Sequence, residues 1–227
     1  MLYIVATPIG NLQDITFRAI ETLKSVDVIL CEDTRHSRQL TDHFGIDKKL
    51  ISLHQHSSDE KINALLSQFE NIAYVSDAGT PGISDPGGKL VEAAIDLGIE
   101  VVPIPGACAV IAALSVSGLP TDKYNFLGFM PHKGRIKIME SIRDSKVTIC
   151  FYESPHRILK TLEQLKDYLA EDRKLVVARE LTKKFETIYR GNISEVFDQV
   201  KEMPKGEFVV IVGSGKSNIT AALQGAR

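Results

Sequence analysis

Two loops in this chain place carboxylates among residues that shape backbone for a ligand. "SDAGTPGISDPGG" (Ser76 to Gly88) packs four glycines and two prolines around Asp77 and Asp85. "CEDTR" (Cys31 to Arg35) sets Glu32 and Asp33 directly after an apolar run. Glycine lets the backbone approach a ligand closely, and proline fixes a loop before the ligand arrives. Acids in such loops repel phosphate, so the chemistry points to a cationic or nucleoside-like small molecule without phosphates. Two more Gly/Pro segments, "ATPIGNLQDIT" and "PIPGACA", follow apolar runs in the same half.

The second half carries a different chemistry. "GFMPHKGR", "FYESPHRI" and "ARELTKKFE" each end an apolar run with mixed charges. Lys133, His156, Arg157 and Arg179 are of the types that hold phosphodiester oxygens. The same residues could instead pair internally, Glu153 with Arg157 or Glu180 with Arg179. Charge supports a polyanion: residues 1–120 hold 8 Lys/Arg against 15 Asp/Glu, whereas residues 121–227 hold 19 against 14. Such a split speaks to partners rather than to fold.

Several chemistries do not fit. "ATPIGN" lacks the GxGxxG spacing, and two residues before "VGSGKSN" Val210 stands where a P-loop needs its first glycine. Cys31, Cys108 and Cys150 lie far apart in apolar runs, which reads as buried thiols in a reducing compartment rather than a metal or disulfide framework. No Ser/His/Asp triad stands out. His54 and His56 read as a helix entry, and no metal site is expected. No apolar run reaches the roughly 20 residues of a membrane helix, so a cytoplasmic protein without membrane contact is expected.

The elements that must position these loops alternate along the chain. "LYIVA", "DVILCE", "KLISLH", "IAYVSDA" and "EVVPIPG" read as strands, with helix-periodic segments between them. Near-continuous apolar strands alternating with helices predict a mainly parallel sheet covered on both faces, with ligand loops at the strands' carboxyl ends. "ACAVIAALSVSG" reads as a buried helix leading to a boundary at "GLPTDKYN". The prediction is an α/β protein with an N-terminal domain over residues 1–118 and a C-terminal domain over 119–227. The second has a mixed sheet, an antiparallel element within "ARELTKKFETIYRGNI", and a flexible tail over 215–227.

The ordered set "VATPIGNLQDITFRAIETLKSVDVILCEDTRHSRQL", "VSDAGTPGISDPG", "PIPGACAVIAALSVSGLP", "GFMPHKGR", "YESPHRI" and "ELTKKFE" resembles the ribosomal RNA small subunit methyltransferase I family, within the tetrapyrrole methylase superfamily. The likeness runs from residue 2 to about residue 214. It implies a homodimer of two α/β domains holding S-adenosylmethionine in the cleft between them. It also implies methyl transfer to the ribose 2′-hydroxyl of a cytidine in the decoding region of small-subunit (16S) rRNA, free or in an assembling 30S subunit. By motif position, Pro8, Gly79, Thr80, Pro81, Ile83, Ser84, Asp85, Cys108 and Ala109 would line the cofactor. Tyr152, Ala178, Arg179, Gly206 and Glu207 would close over its adenosine.

A ribose hydroxyl needs a base or acceptor within reach, for which Glu32, Asp33, Asp85, Glu153 and Glu180 are the candidates. Arg35, Lys133, Arg135, His156 and Arg157 would hold RNA. Longer members carry a helical C-terminal extension that this sequence does not show, which places RNA capture on the basic second domain. Two other functions are compatible with the superfamily: methylation of a tetrapyrrole or a protein, and a non-catalytic RNA-binding assembly factor.

Overall fold

The computed structural model describes residues 1–54, 56–85 and 87–215. The tail expectation for 215–227 therefore lies, beyond Gly215, outside the described residues. The chain divides into two compact units, Met1–Cys108 and Ala109–Arg227.

The first unit strings β1 (Leu2–Val5), α1 (Phe17–Ser25), β2 (Val28–Cys31), α2 (Thr34–His43), β3 (Lys49–Ser52), α3 (Asp59–Gln68), β4 (Ile72–Val75), α4 (Gly87–Asp96) and β5 (Val101–Ile104). All pairings are parallel, in the order β3-β2-β4-β1-β5. Alternate residues of one strand feed opposite cores, as the two-residue side-chain period requires. Val28, Leu30, Ile72 and Tyr74 pack with Ile62, Leu66 and Leu90 on one face. Ile29, Cys31, Ala73 and Val75 pack with Ala19 and Leu23 on the other. Side-chain caps start the helices where polar residues meet the apolar stripe: Thr16 for α1, Asp33 for α2 and Ser58 for α3.

Topology decides where a ligand can go. The connection from β1 runs to β2 on one side, and that from β4 runs to β5 on the other. The crevice between diverging connections, at the carboxyl ends of β1 and β4, is the favoured binding place in open α/β sheets.

The second unit holds α5 (Ala109–Ser115), β6 (Tyr124–Phe129), α6 (Arg135–Asp144), β7 (Thr148–Glu153), α7 (Ile158–Lys166), β8 (Leu175–Arg179), β9 (Thr187–Gly191), α8 (Ile193–Glu202) and β10 (Phe208–Val212). Its sheet runs β6-β7-β10-β8-β9, with only β6 and β7 parallel. The mixed sheet and the antiparallel β8–β9 pair are as expected. Phe151, Val177 and Val210 meet Leu162, Ile193 and Val196 in a single core.

The expected boundary at Gly118 falls ten residues beyond the observed division, because α5 packs on β7 and β10 of the second unit. The helix expected to be buried is covered along Val110, Ala113 and Leu114, while Ile111 on its other side is half exposed. Cys31 and Cys150 are buried thiols, but Cys108 is only partly covered. Among the described residues, no helix is long and apolar enough to cross a membrane.

Candidate functional site

In the first unit the loops after β1, β4 and β5 are tied into one edge. Thr7 and Gly79 exchange two backbone hydrogen bonds, N–H to O at 2.9 and 3.1 Å, an antiparallel bridge between loops that leave parallel strands. Ala6 N–H donates to the Ile104 carbonyl at 3.1 Å, and Thr80 Oγ1 donates to the Ala107 carbonyl at 3.0 Å. Glycine is required where these chains meet. Gly79 has φ +80°, and a Cβ there would lie 3.2 Å from Ile9 Cγ2; at Gly106 it would lie 2.9 Å from Ala6 Cβ. Pro8 and Pro81 are buried beside this bridge, while Ile83 and Ser84 face outward. Ser84 takes φ 67°, a left-handed value rare outside glycine.

Asp85 is spent on its own loop. Both carboxylate oxygens accept from Gly82 N–H at 2.8 Å, and Oδ1 also accepts from Gly87 N–H at 2.8 Å. These bonds close the turn from the glycine loop into α4.

Glu32 sits at the end of β2, with Ser52 Oγ holding its carbonyl at 3.0 Å. Burial pushes its carboxyl up to about 7, helped by the charges of Asp77 and Asp85 and opposed by a hydrogen bond from the Asp77 backbone. Tyr74 is fully buried within the field of the same acids, and its hydroxyl has no hydrogen-bond partner among the described residues. Burial, then Asp85, Glu32 and Asp77, raise its pKa far above the usual phenol value. The Thr7 hydroxyl is likewise buried and without a partner among the described residues. The sequence places Asp77 in the glycine loop but gives it no role of its own, and it does not single out Tyr74 or Thr7. Asp77 was legible two residues before Gly79, but nothing in the order of residues announces two orphan hydroxyls.

A carboxyl raised in the fold favours the protonated form. Glu32 therefore contributes stability below its unfolded value, near 4.5, and that contribution is lost as pH rises through about 7. Glu32→Gln should accordingly raise the unfolding midpoint at pH 8 and leave it unchanged near pH 4.5. Thermal melts of both proteins at the two pH values check this; a variant less stable than the parent at pH 8 contradicts it.

Asp33 takes a different part. It caps α2 through Arg35 N–H at 2.8 Å and binds the Arg35 guanidinium at 2.7 Å. Those hydrogen bonds hold its carboxyl down to about 2, which makes it a poor base. Arg35 remains largely exposed while paired.

In the second unit, strand directions bring residues 130–134, 154–157, 180–186 and 203–207 to one sheet edge. Three of the expected functional residues there are turned on one another. Glu153, 1% exposed, accepts from Arg157 Nη2 at 2.7 Å, Ser154 N–H at 2.8 Å and Thr161 Oγ1 at 2.6 Å. Arg135 lies 3.9 Å away and donates to Thr161 Oγ1 at 2.6 Å. Arg157 also donates to the Met130 carbonyl at 2.7 Å. Of the two internal pairings read from the sequence, Glu153 with Arg157 is the one observed.

Glu180 pairs with Lys183 instead of Arg179, at 3.1 Å, and accepts from Glu207 N–H at 2.9 Å. Burial pushes Glu180 up, but those hydrogen bonds and the Lys183 and Arg179 charges outweigh it and leave it below its ordinary value. Gly206 is required beside it: φ is +109°, and a Cβ would lie 2.5 Å from Glu180 Cγ. Buried Arg179 donates to the Lys205 and Phe185 carbonyls at 2.5 and 3.0 Å. Ala178 is buried in β8, and Tyr152 stacks edge-on with Phe126 and Phe129. Lys133 and His156 are exposed.

Residues 1–196 match the model of the tetrapyrrole (corrin/porphyrin) methylases. The ribosomal RNA small subunit methyltransferase I of Haemophilus influenzae is 51% identical over 227 residues, covering 96% of this chain and 80% of that protein. The protein of the same name from a Synechocystis species is 50% identical over 218 residues, covering 93% and 78%. Among solved structures, a diphthine synthase aligns over 93% of this chain and 89% of its own with a TM-score of 0.70, at 14% identity. The last likeness speaks to fold alone.

Proposed function

The chain belongs to the ribosomal RNA small subunit methyltransferase I family of the tetrapyrrole methylases, and on that premise we propose that it methylates the ribose 2′-hydroxyl of a cytidine in the decoding region of small-subunit rRNA, using S-adenosylmethionine. The observation that carries the reading is the first unit's loop edge, where the Thr7–Gly79 bridge fixes bare backbone beside three carboxylates.

That edge suits the cofactor's chemistry. No Lys, Arg or His occurs between Ser76 and Asp85, so the loop lacks side-chain cations for phosphate and offers negative charge to a sulfonium. When bound, S-adenosylmethionine supplies an activated methyl group on positively charged sulfur. Pro8, the segment from Gly79 to Asp85 and Cys108 would hold it from the first unit. Ala109, Tyr152, Ala178, Arg179, Gly206 and Glu207 are the proposed contacts from the second.

Methyl transfer of this kind is an in-line displacement, so positioning supplies much of the rate. Of the five carboxylates considered as base, Glu32 is the one whose pKa is raised to near neutrality, where a base can take up a hydroxyl proton at working pH. Asp33 is held too acidic, Asp85 closes its loop, Glu153 is locked in a buried ion pair, and Glu180 is bound by Lys183 and Glu207. We therefore assign Glu32 the task of orienting the nucleophile and accepting its proton. Lys133 and His156, exposed at the second unit's loop edge, would position flanking phosphates, and exposed Arg35 is proposed as an RNA contact of the first unit. Arg135 and Arg157 contribute indirectly, by setting the loops that carry Lys133 and His156. The same reading takes the protein to act as a cytoplasmic homodimer on rRNA or the assembling 30S subunit.

Mass-spectrometric mapping of ribose methylation tests the proposal. A deletion strain should lack one 2′-O-methyl in small-subunit rRNA, restored by the wild-type gene. Full methylation in the deletion strain would sink the reading.

A further inference from the structure

The loop joining β8 to β9 presents an aromatic ring to solvent from an unusually fixed backbone. Glu180 and Thr182 have φ values of 50° and 65°, and a β-branched residue in that region is a true outlier. The chain is held there by a ring of bonds. Thr182 N–H donates to Glu186 Oε2 at 2.6 Å, and the Lys183 and Glu186 amides donate to the Glu180 and Lys183 carbonyls at 3.0 Å each. The Phe185 carbonyl accepts from buried Arg179 at 3.0 Å and from Thr187 Oγ1 at 3.2 Å. With its backbone anchored on both counts, the Phe185 side chain is 63% exposed.

One lysine lies over that ring, and a second is carried on a segment tethered to the same guanidinium. Lys184 Nζ lies 5.7 Å from its centroid. The same Arg179 guanidinium that anchors Phe185 also holds the carbonyl of Lys205, which brings a second exposed lysine to this place. Neither Lys184 nor Lys205 has an ion-pair partner among the described residues, whereas Lys183 is taken by Glu180 and Glu207. A rigid exposed aromatic flanked by unpaired lysines is what a single-stranded nucleic acid requires: a face for one base and charges for the phosphates on either side.

We propose that Phe185 is a stacking platform for an unpaired base of the RNA substrate, with Lys184 and Lys205 gripping the adjoining phosphates. The assignment rests on the RNA reading above and adds to it a preference for unpaired over duplex RNA. Base faces are hidden inside a duplex, so a stacking ring can engage only a nucleotide that is already splayed out.

Fluorescence anisotropy with the purified full chain tests this, using a labelled mixed-sequence single-stranded 16-mer RNA and the same strand in a duplex. Phe185→Ala should weaken single-strand binding roughly five- to a hundredfold, with little change for the duplex, while Phe185→Trp retains it. Phe185→Ala should leave the salt slope of binding unchanged; Lys184→Glu and Lys205→Glu should each lower it by about one. Equal affinities for wild type and Phe185→Ala on the single strand would overturn the platform while leaving the RNA reading intact. No binding of either RNA by the wild type at low salt would overturn both. A wild-type dimer that dissociates on Phe185→Ala would overturn it in another way, marking the ring as a contact between copies. Phe185→Ala should keep the parent's unfolding midpoint, since the ring is mostly in solvent.

Discussion

Replacing Glu153 by alanine lowers the stability of the second unit by about 3–5 kcal/mol, equivalent to a fall in unfolding midpoint of roughly 10–20 °C for a unit of this size. The reason lies in what remains. Among the described residues, Glu153 is the single carboxylate paired with Arg135 and Arg157, whose side chains are themselves largely covered. Burial already lowers the pKa of Arg135, and Arg157 lowers it further, with Glu153 acting against both. Without the carboxylate, two guanidiniums repel each other in a poorly hydrated place, and Thr161 Oγ1 loses its acceptor. Glu153→Gln should fall between, because the amide oxygen can keep one hydrogen bond but not the charge. Thermal or urea unfolding measures the series. An alanine variant within about 1 kcal/mol of the parent would mean that water reaches this cluster.

The second large effect concerns the glycine loop. Asp85→Ala removes the acceptor for the Gly82 and Gly87 amides at one stroke. Hydrogen bonds to a charged group contribute about 1.5–3 kcal/mol each, and every 1.4 kcal/mol is tenfold in affinity. Binding of S-adenosylmethionine should weaken on the order of ten- to a hundredfold in calorimetry, while the first unit stays folded on its two apolar cores. Asp85→Asn, whose one amide oxygen can still accept from both amides, should recover most of the loss. If asparagine is as damaging as alanine, the charge itself is needed at the ligand, and Asp85 does more than close the turn.

Much of this was legible in the residue order. "DVILCE" and "IAYVSDA" read as strands because each contains an unbroken apolar run, VILC and IAYV, and both runs prove to be covered on two faces. The hairpin within "ARELTKKFETIYRGNI" was visible because a polar linker too short for a crossover helix separates two β-rich runs. What was hidden depended on strand order. Nothing in "ATPIGN" or "SDAGTP" says that Thr7 bonds Gly79, since that follows only from β1 lying beside β4. Glu153 and Arg157 were close enough in sequence to be weighed as a pair, but Arg135, the third member, lies eighteen residues upstream and meets them through the parallel pairing of β6 and β7. The boundary was drawn at the Gly118 turn because turns mark boundaries in sequence; packing of α5 marks it in space. Phe185 is not legible in the sequence, because an exposed aromatic has no partner in the pattern that periodicity detects.

The place of β10 at the middle of its sheet governs how this protein can be made. Its neighbours β7 and β8 touch each other nowhere in the strand order; each meets only β10 on that side. The sheet is therefore two ribbons, β6 with β7 and β8 with β9, whose inner edges are both paired by β10, through five registered residues on either flank. Because Phe208–Val212 follows all four of those strands in the sequence, the pairings that unite the ribbons cannot form until it has been synthesised. A polypeptide stopped short of residue 208 would offer sticky strand edges to chaperones, proteases or its own neighbours.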